Sequence, residues 1–479
     1  MSSLVARFAD LYRDDPARSL MHLPATDRGM TASDIWEAHL RYADQLARAS
    51  VGSGHLVLSA VANTPCAPAL LLACRTLDAA IMAVDTCATP AEVDALAVRF
   101  GAAAIVSPAE VRTSRVETRR HPGAAILKLT SGSTGVPKAT RTTEAQMVAD
   151  AVHIIAAMDI RPGDTQIAAI PMSHSYGLGN LLLPLLLQGT ACVLRDSFVP
   201  QLLPADARRF GARIFPAVPF MLQYFLDHPP AGGWPPSLQR LISAGAPLGA
   251  ATIGAFHDRF GVKIHSFYGA SETGGIAFDS DDDVDDSGTV GTPLPGVTVT
   301  LRDDNRQSTI TQPSAIRHPP LRGRVHVSSA AVSSGYIDET SDAFVDDGFL
   351  TSDYGEWDGR GRLLLRGRVS TFVNVAGRKV QPAEVEAVLR TMPGIADVRI
   401  VAAPDPRRGQ QIVACIVADA RVSSITTLGV RRYCAERLAS HKVPRAIVFV
   451  ERIPITARGK TDRAALDALV HARLGRGTV

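Results

Sequence analysis

Several short clusters in this 479-residue chain combine residue types that can do chemistry on phosphates. One is Thr130-Ser131-Gly132-Ser133-Thr134-Gly135-Val136-Pro137-Lys138. It follows the apolar run Ala124-Ala125-Ile126-Leu127-Lys128-Leu129, which reads as a buried strand. Its glycines can turn backbone N–H groups inward, while Ser131, Ser133 and Thr134 add hydroxyl donors and Lys138 adds charge. That is a nest for phosphate oxygens. The same residues also suit an ordinary Gly/Ser loop with a solvated lysine, and a Gly-rich loop alone does not choose between the two.

Other clusters carry the same ambiguity. Tyr268-Gly269-Ala270-Ser271-Glu272-Thr273-Gly274-Gly275 follows a strand-like stretch, Lys263 to Phe267. Tyr268 could stack on a base, Ser271 bind a phosphate and Glu272 hold Mg²⁺ through oxygen. Equally, the stretch is a hairpin loop with a solvated glutamate. In Pro171-Met172-Ser173-His174-Ser175-Tyr176-Gly177-Leu178-Gly179, His174 and Tyr176 lie where a strand passes into a helix, a usual place for binding groups. The bland reading has His174 capping the helix and Tyr176 in the core. Gly245-Ala246-Pro247 ends the strand-like Leu238 to Ala244. It would let a flat ligand approach the backbone, or form a plain turn. Asp353 could accept hydrogen bonds from two ribose hydroxyls or cap a turn. Lys460, beside Gly459, reads by itself as solvated, and Asp281 to Asp286 as a solvated acidic loop.

The elements that must position these residues follow from pattern. Helices are expected from Thr31 or Ser33 to Ala49 and over Ala67 to Ala80, Pro90 to Phe100 and Glu144 to Met158. Strands are expected over Leu56 to Val61, Ile81 to Val84, Ala103 to Val106 and Gln166 to Ile170. Such alternation predicts a layered α/β domain with parallel strands. The basic stretch Val111 to Gly123 reads as a surface loop, and Asn180 to Gln188 as an apolar helix. From Val290 to Gly367, Gly and Pro turns separate short strands, which predicts a β-rich subdomain. A boundary near Gly367-Arg368 divides the chain into residues 1–367 and a small α+β domain, 368–479.

Bulk properties narrow the function class. Lys+Arg 50 against Asp+Glu 47 gives a net charge of +3, which offers no case for a nucleic-acid surface. The six cysteines form no CxxC pair and fit thiols in a reducing cytosol. Met1 to Asp15 is too charged for the apolar core of a signal peptide, and Leu181 to Leu187 is too short to span a bilayer. The expectation is a cytoplasmic protein with no membrane span.

The order and spacing of the clusters carry more than any one of them. From about Phe8 to Leu469 the chain resembles the adenylate-forming (AMP-binding) superfamily of acyl-CoA synthetases, luciferases and adenylation domains. The resemblance rests on Thr130 to Lys138, Tyr268 to Glu272, Gly348 to Asp353, Gly367-Arg368, Gly377 to Glu384 and Arg458-Gly459-Lys460. It implies a large N-terminal domain hinged to a mobile C-terminal lid, and two half-reactions. A carboxylate attacks the α-phosphate of Mg·ATP to give acyl-AMP and pyrophosphate. A thiol, from CoA or a carrier protein's phosphopantetheine, then displaces AMP. By motif position Thr130, Ser131, Gly132, Ser133, Thr134, Gly135 and Lys138 would hold the β- and γ-phosphates. Gly245, Ala246, Pro247 and Tyr268 would sandwich the adenine, Phe267 and Gly269 would also belong to the cofactor site, and Ser271 would contact the α-phosphate. Glu272 would bind Mg²⁺, Asp353 and Arg368 the ribose. Lys460 would bridge the carboxylate and α-phosphate, and the space at Gly377 would admit a pantetheine arm. His174, Tyr176, Gly245, Gly269 and Gly274 would surround a small carboxylic acid, with His174 close to the chemistry.

The chain departs from the family pattern at Ala139, Arg324, Ser370 and Asn374, none of them a core ligand. The pocket stretches hold small, apolar or aromatic residues and no aspartate suited to an amino-acid ammonium group. This favours an aryl or aliphatic acid, and Tyr176 two residues after His174, as in the aryl-acid ligases this chain resembles, leans towards an aryl one. A P-loop kinase is disfavoured, because Gly135 is not followed directly by Lys and Ser/Thr. A non-catalytic nucleotide-binding partner is the alternative of another class.

Overall fold

The computed structural model describes residues 3–61, 63–85, 88–130, 137–195, 197–285, 288–302, 309–311, 322–368, 373–380, 382–419, 425–454 and 463–474. The chain divides into two compact units. Residues 1–86, 95–129 and 139–369 form the larger; 370–479 with the segments 87–94 and 130–138 form the smaller.

The larger unit contains the expected layers. One six-stranded sheet runs Val111–Thr113, Ala104–Val106, Leu56–Ser59, Ala80–Ala83, Ile126–Thr130, Lys138–Thr142. Leu56–Ser59 pairs in parallel with both Ala80–Ala83 and Ala104–Val106. Val111–Thr113 is an antiparallel edge strand where the basic composition predicted a loop. An edge strand tolerates charged side chains, so Arg112 hid it from a pattern based on burial. The second sheet has nine strands, with Thr165–Ala168, Ala191–Leu194, Ile214–Ala217, Arg240–Ser243 and Ile264–Ala270 at its centre. Helices start where their caps lie. Ala32–Arg48 opens on a capping box of Thr31 and Asp34, and Glu144–Met158 on one of Thr143 and Gln146.

The apolar stretch around residue 180 is less regular than its composition suggested. It runs as Ser175–Gly177, a π-turn over Leu178–Leu182, then helix Leu183–Gln188. Pro184 has no N–H to give to the carbonyl of Asn180, and its ring would clash there in an α-helix. The π-turn relieves the clash, and Gln166 Nε2 donates to the Asn180 carbonyl at 2.7 Å.

The β-rich portion is a six-stranded antiparallel sheet that includes Val297–Arg302, Arg322–Ser329, Gly348–Trp357 and Leu363–Arg368. The acidic run is only partly solvated. Asp285 pairs with Arg362 at 2.6 Å, and the Asp281 carbonyl accepts from Lys263 Nζ at 2.6 Å. In the smaller unit Gly409–Ala418 divides its side chains between two cores. Ile412, Ala414 and Ile416 pack with helices Pro382–Arg390 and Thr427–Ala435, while Val413 and Cys415 pack with helix Arg463–Leu474. That is the two-residue period of a strand covered on both faces.

Burial behind the nine-stranded sheet has a consequence for stability. His265 is 2% exposed, and its Nδ1 meets the Asp279 carbonyl at 2.8 Å. Burial, with Arg240 beside it, lowers its pKa from 6.5 to about 4. The folded state therefore holds the ring neutral, whereas the unfolded chain binds a proton below pH 6.5. This contribution is full above pH 6.5 and is lost as pH falls towards 4, amounting to roughly 2 kcal/mol by pH 5. Chemical denaturation at pH 7 and pH 5 should show that loss, and His265→Gln should show a smaller difference between the two.

Candidate active site

The candidate residues of the larger unit converge on one hairpin. Ile264–Ala270 continues past Phe267, so Tyr268, Gly269 and Ala270 lie in the strand rather than in a loop. Only Ser271, Glu272 and Thr273 turn before the return strand Gly274–Phe278. The ladder sets Tyr268 against Ala277 and Gly269 against Gly275, with a bulge between them. A Cβ at Gly274 would stand 2.1 Å from Asp150 Oδ1, and its φ is +71°. The space beside Gly274 is thus filled by Asp150, whose Oδ1 accepts the Gly275 N–H at 2.8 Å. The tight turn dictates this glycine.

Tyr268 is buried, and its hydroxyl donates to Asp353 Oδ2 at 2.7 Å. In the next ladder Asp353 stands opposite Arg368, and Tyr354 opposite Gly367. The fold therefore assembles Tyr268, Asp353 and the Arg368 backbone from three strands. Glu272 Oε1 accepts the Tyr336 hydroxyl at 2.8 Å, and its carbonyl accepts the Ser333 N–H at 2.8 Å. Burial and the Glu272 charge push the Tyr336 hydroxyl well up, so it stays a donor. Tyr336 also bridges to Thr140, and Ile337 N–H donates to the Ala139 carbonyl at 2.8 Å. The segment 333–337 thus ties Glu272 to the strand that begins at Lys138. Ala139 itself is fully buried, which accommodates a methyl group at this departure from the family pattern. Arg324, another departure, donates to the Thr351 carbonyl at 3.0 Å.

The His174 stretch is joined to the hairpin as well. Ser175 Oγ donates to Ser271 Oγ at 3.1 Å. Tyr176 reaches under the Gly245 turn, where its hydroxyl donates to the Ile242 carbonyl at 3.0 Å and its ring lies 5.8 Å from that of Phe267. Gly245 has φ +84°, and Gly245 and Pro247 are exposed with Ala246 between them half-buried. His174 is exposed; it occupies the cap position of its short helix without a side-chain capping bond. Thr130 and Lys138 are the described ends of the opening loop, both half-buried. Ser131, Gly132, Ser133, Thr134, Gly135 and Lys460 lie outside the described residues. In the smaller unit, Ala376 (φ 52°) and Gly377 (φ 83°) form the two-residue turn between Val373–Val375 and Arg378–Val380. Positive φ at both positions defines a type I′ turn, which gives Gly377 a backbone reason of its own.

Sequence reasoning missed four polar residues here. Asn63 accepts the Met172 N–H at 2.7 Å and donates to the Ile170 carbonyl at 2.9 Å, which fixes the His174 stretch. Asp150 and Tyr336 have the roles just described. Lys128 is 6% exposed; burial lowers its pKa, opposed by the charges of Asp150 and Glu272. A lysine inside an otherwise apolar strand was the one available signal.

Two layered α/β sheets and a β-rich sheet in the larger unit, with a smaller α+β unit beside them in the chain order, match the architecture expected of the adenylate-forming superfamily. The sequence matches the AMP-binding enzyme family over residues 115–337 and the AMP-binding enzyme C-terminal domain over 384–460. The chain belongs to this adenylate-forming superfamily. It is 28% identical over 348 residues to a sulfoacetate–CoA ligase of Cupriavidus necator, covering 71% of this chain and 66% of that enzyme. It is 29% identical over 345 residues to a feruloyl-CoA synthase of Amycolatopsis sp, covering 70% and 67%. The chain thus spans about two thirds of the length of these curated relatives. It is also similar to the solved amide bond synthetase McbA of Marinactinospora thermotolerans, with TM-score 0.80, 25% identity and coverage of 98% and 99%. By name, both of these curated relatives join an acid to CoA. Among the described residues no helix is long and apolar enough to cross a membrane.

Proposed function

We propose that this protein joins a carboxylic acid to the thiol of CoA in two steps, through an acyl-adenylate. The observation that carries the reading is the Tyr268–Asp353 hydrogen bond of 2.7 Å, set beside Arg368 in the ladder. It locks a flat ring to a carboxylate suited to a ribose, in a buried corner of the hairpin that carries Glu272. Gly245, Ala246, Pro247, Phe267 and Gly269 complete the adenine side, Ser271 meets the α-phosphate, and Ser131 to Lys138 hold the departing pyrophosphate. The functional hinge is placed at Gly367-Arg368, just before the division of the two compact units after residue 369, and residues 368–479 carry Lys460 as a mobile lid.

Glu272 suits Mg²⁺. Tyr336 occupies Oε1, and no hydrogen bond from a described residue reaches Oε2. Among the described residues no group of three or more metal-ligating side chains exists. Magnesium is commonly held in this way, by one or two carboxylates plus substrate phosphates. Bound there, the ion would neutralise charge on the phosphate oxygens. Lys460 orients the acid's carboxylate against the α-phosphate and offsets their repulsion.

His174, Tyr176 and Gly274 border the acid. Because the Tyr176 hydroxyl is already committed to Ile242, the ring rather than the hydroxyl is offered to the substrate. That favours an apolar, aryl or aliphatic acid, in line with the feruloyl-CoA synthase likeness and not with the sulfoacetate–CoA ligase one. The thiol is that of CoA; the arm of an acyl carrier protein is the alternative. The likeness to an amide bond synthetase supports a second reading, in which an amine accepts the acyl group. The test is product analysis with ATP, Mg²⁺ and an acid panel, with CoA or without. CoA-dependent thioester together with AMP supports the proposal. AMP with thioester only on a phosphopantetheinylated carrier moves it to the carrier reading, and ADP overturns it.

A further inference from the structure

Asp85 has no part in the reading above, and His174 enters it only as a border of the acid. His174 Nε2 lies 3.4 Å from Asp85 Oδ2, with side-chain exposures of 50% and 16%. An ion pair with one partner half in water adds little to stability. The helix start does not use the imidazole either, since its side chain makes no capping bond. Yet the backbone that carries it is held firmly. Asn63 fixes Met172. Ser175 meets Ser271. A Cβ at Gly177 would stand 2.1 Å from the Pro171 carbonyl oxygen, so only glycine allows the chain to fold back there. Asp85 arrives separately, just beyond Ala80–Ala83 in the other sheet, with Val84 N–H bonded to the Ser59 carbonyl at 2.8 Å. A carboxylate and an imidazole thus meet from two sheets, each at the carboxyl end of a parallel strand, where open α/β folds bind ligands.

Resting on the ligase reading, we propose that Asp85 and His174 form a base dyad for the acyl-transfer step. Asp85 Oδ2 stands 3.4 Å from Nε2 and so favours the tautomer that carries its proton on that nitrogen. Nδ1, which makes no hydrogen bond to the described residues, is left with its lone pair for the acceptor. In the step, the acceptor sulfur attacks the acyl carbon of acyl-AMP. The S–C bond forms, the bond from carbon to the AMP oxygen breaks, and the thiol proton passes to His174 Nδ1. AMP leaves as an anion, and the imidazolium returns its proton to water. His174 is the catalytic residue and Asp85 a positioning residue, which orients the ring and stabilises its cation.

The experiment uses the full chain with ATP, Mg²⁺ and the acid that gives the fastest pyrophosphate exchange. It compares His174→Gln, Asp85→Asn and Asp85→Glu with wild type. Each is assayed for exchange, for acyl-CoA formation with CoA, and for hydroxamate formation with hydroxylamine. Hydroxylamine is largely unprotonated at neutral pH and needs no base. For His174→Gln and Asp85→Asn, acyl-CoA formation relative to exchange should fall about 10²-fold. Hydroxamate formation should keep step with exchange, and Asp85→Glu should recover much of the loss. A parallel fall of acyl-CoA and hydroxamate, or no fall relative to exchange, overturns the dyad. Absence of acid-dependent exchange in the wild type overturns the ligase reading instead.

Discussion

Lys460→Ala is expected to lose acid-dependent pyrophosphate exchange by about 10²- to 10³-fold, while turnover of supplied acyl-AMP to thioester persists. The reason lies in the chemistry of the first step. A carboxylate is a weak nucleophile, and it must approach a polyphosphate of the same sign. A cation between the two removes the repulsion and fixes the angle of attack, whereas an alanine leaves both charges unscreened. In the second step the electrophile is already activated, and a lysine at the α-phosphate has nothing further to neutralise. The two assays must therefore separate. If Lys460→Ala adenylated normally, the role given to this lysine would be wrong, and if both steps failed together the residue would be serving the fold of its unit.

Glu272→Gln is the second large effect. The substitution keeps size and an acceptor for the Tyr336 hydroxyl, so the 2.8 Å hydrogen bond and the Ser333–Glu272 backbone contact can persist. What is removed is one negative charge. Adenylation should fall about 10²-fold, and the Mg²⁺ concentration for half-maximal exchange should rise several-fold. Mn²⁺ binding to the ATP complex, followed by electron paramagnetic resonance, should weaken in parallel. Tyr336→Phe makes a useful contrast, because it keeps the charge and releases only its orientation; a smaller rise is expected. An unchanged metal requirement in Glu272→Gln would remove Glu272 from the metal site.

The parts of this site that were legible in the sequence are those whose chemistry is local. Tyr268, Ser271 and Glu272 sit within five consecutive residues, and the alternation of helix and strand around them is written in a short period. The missed residues work across long separations. Asn63 meets Met172 across 109 positions, Asp150 meets Gly275 across 125, and Tyr336 meets Glu272 across 64. No local pattern marks such partners, because their role exists only once two elements pack. Glycine was ambiguous for a different reason. Its lack of a side chain is equally useful to a ligand and to a strained backbone, and at Gly274 and Gly377 the positive φ supplies the second reason. The π-turn before Leu183 was hidden because Pro184 breaks the helical ladder while the apolar composition continues on both sides.

The most direct measurement of the central claim is exchange of labelled pyrophosphate into ATP across a panel of aryl, aliphatic and dicarboxylic acids. The proposal predicts exchange that depends on Mg²⁺ and on one class of acid, with AMP as the nucleotide product once CoA is added. Exchange absent with every acid, or ADP as the product, would contradict it.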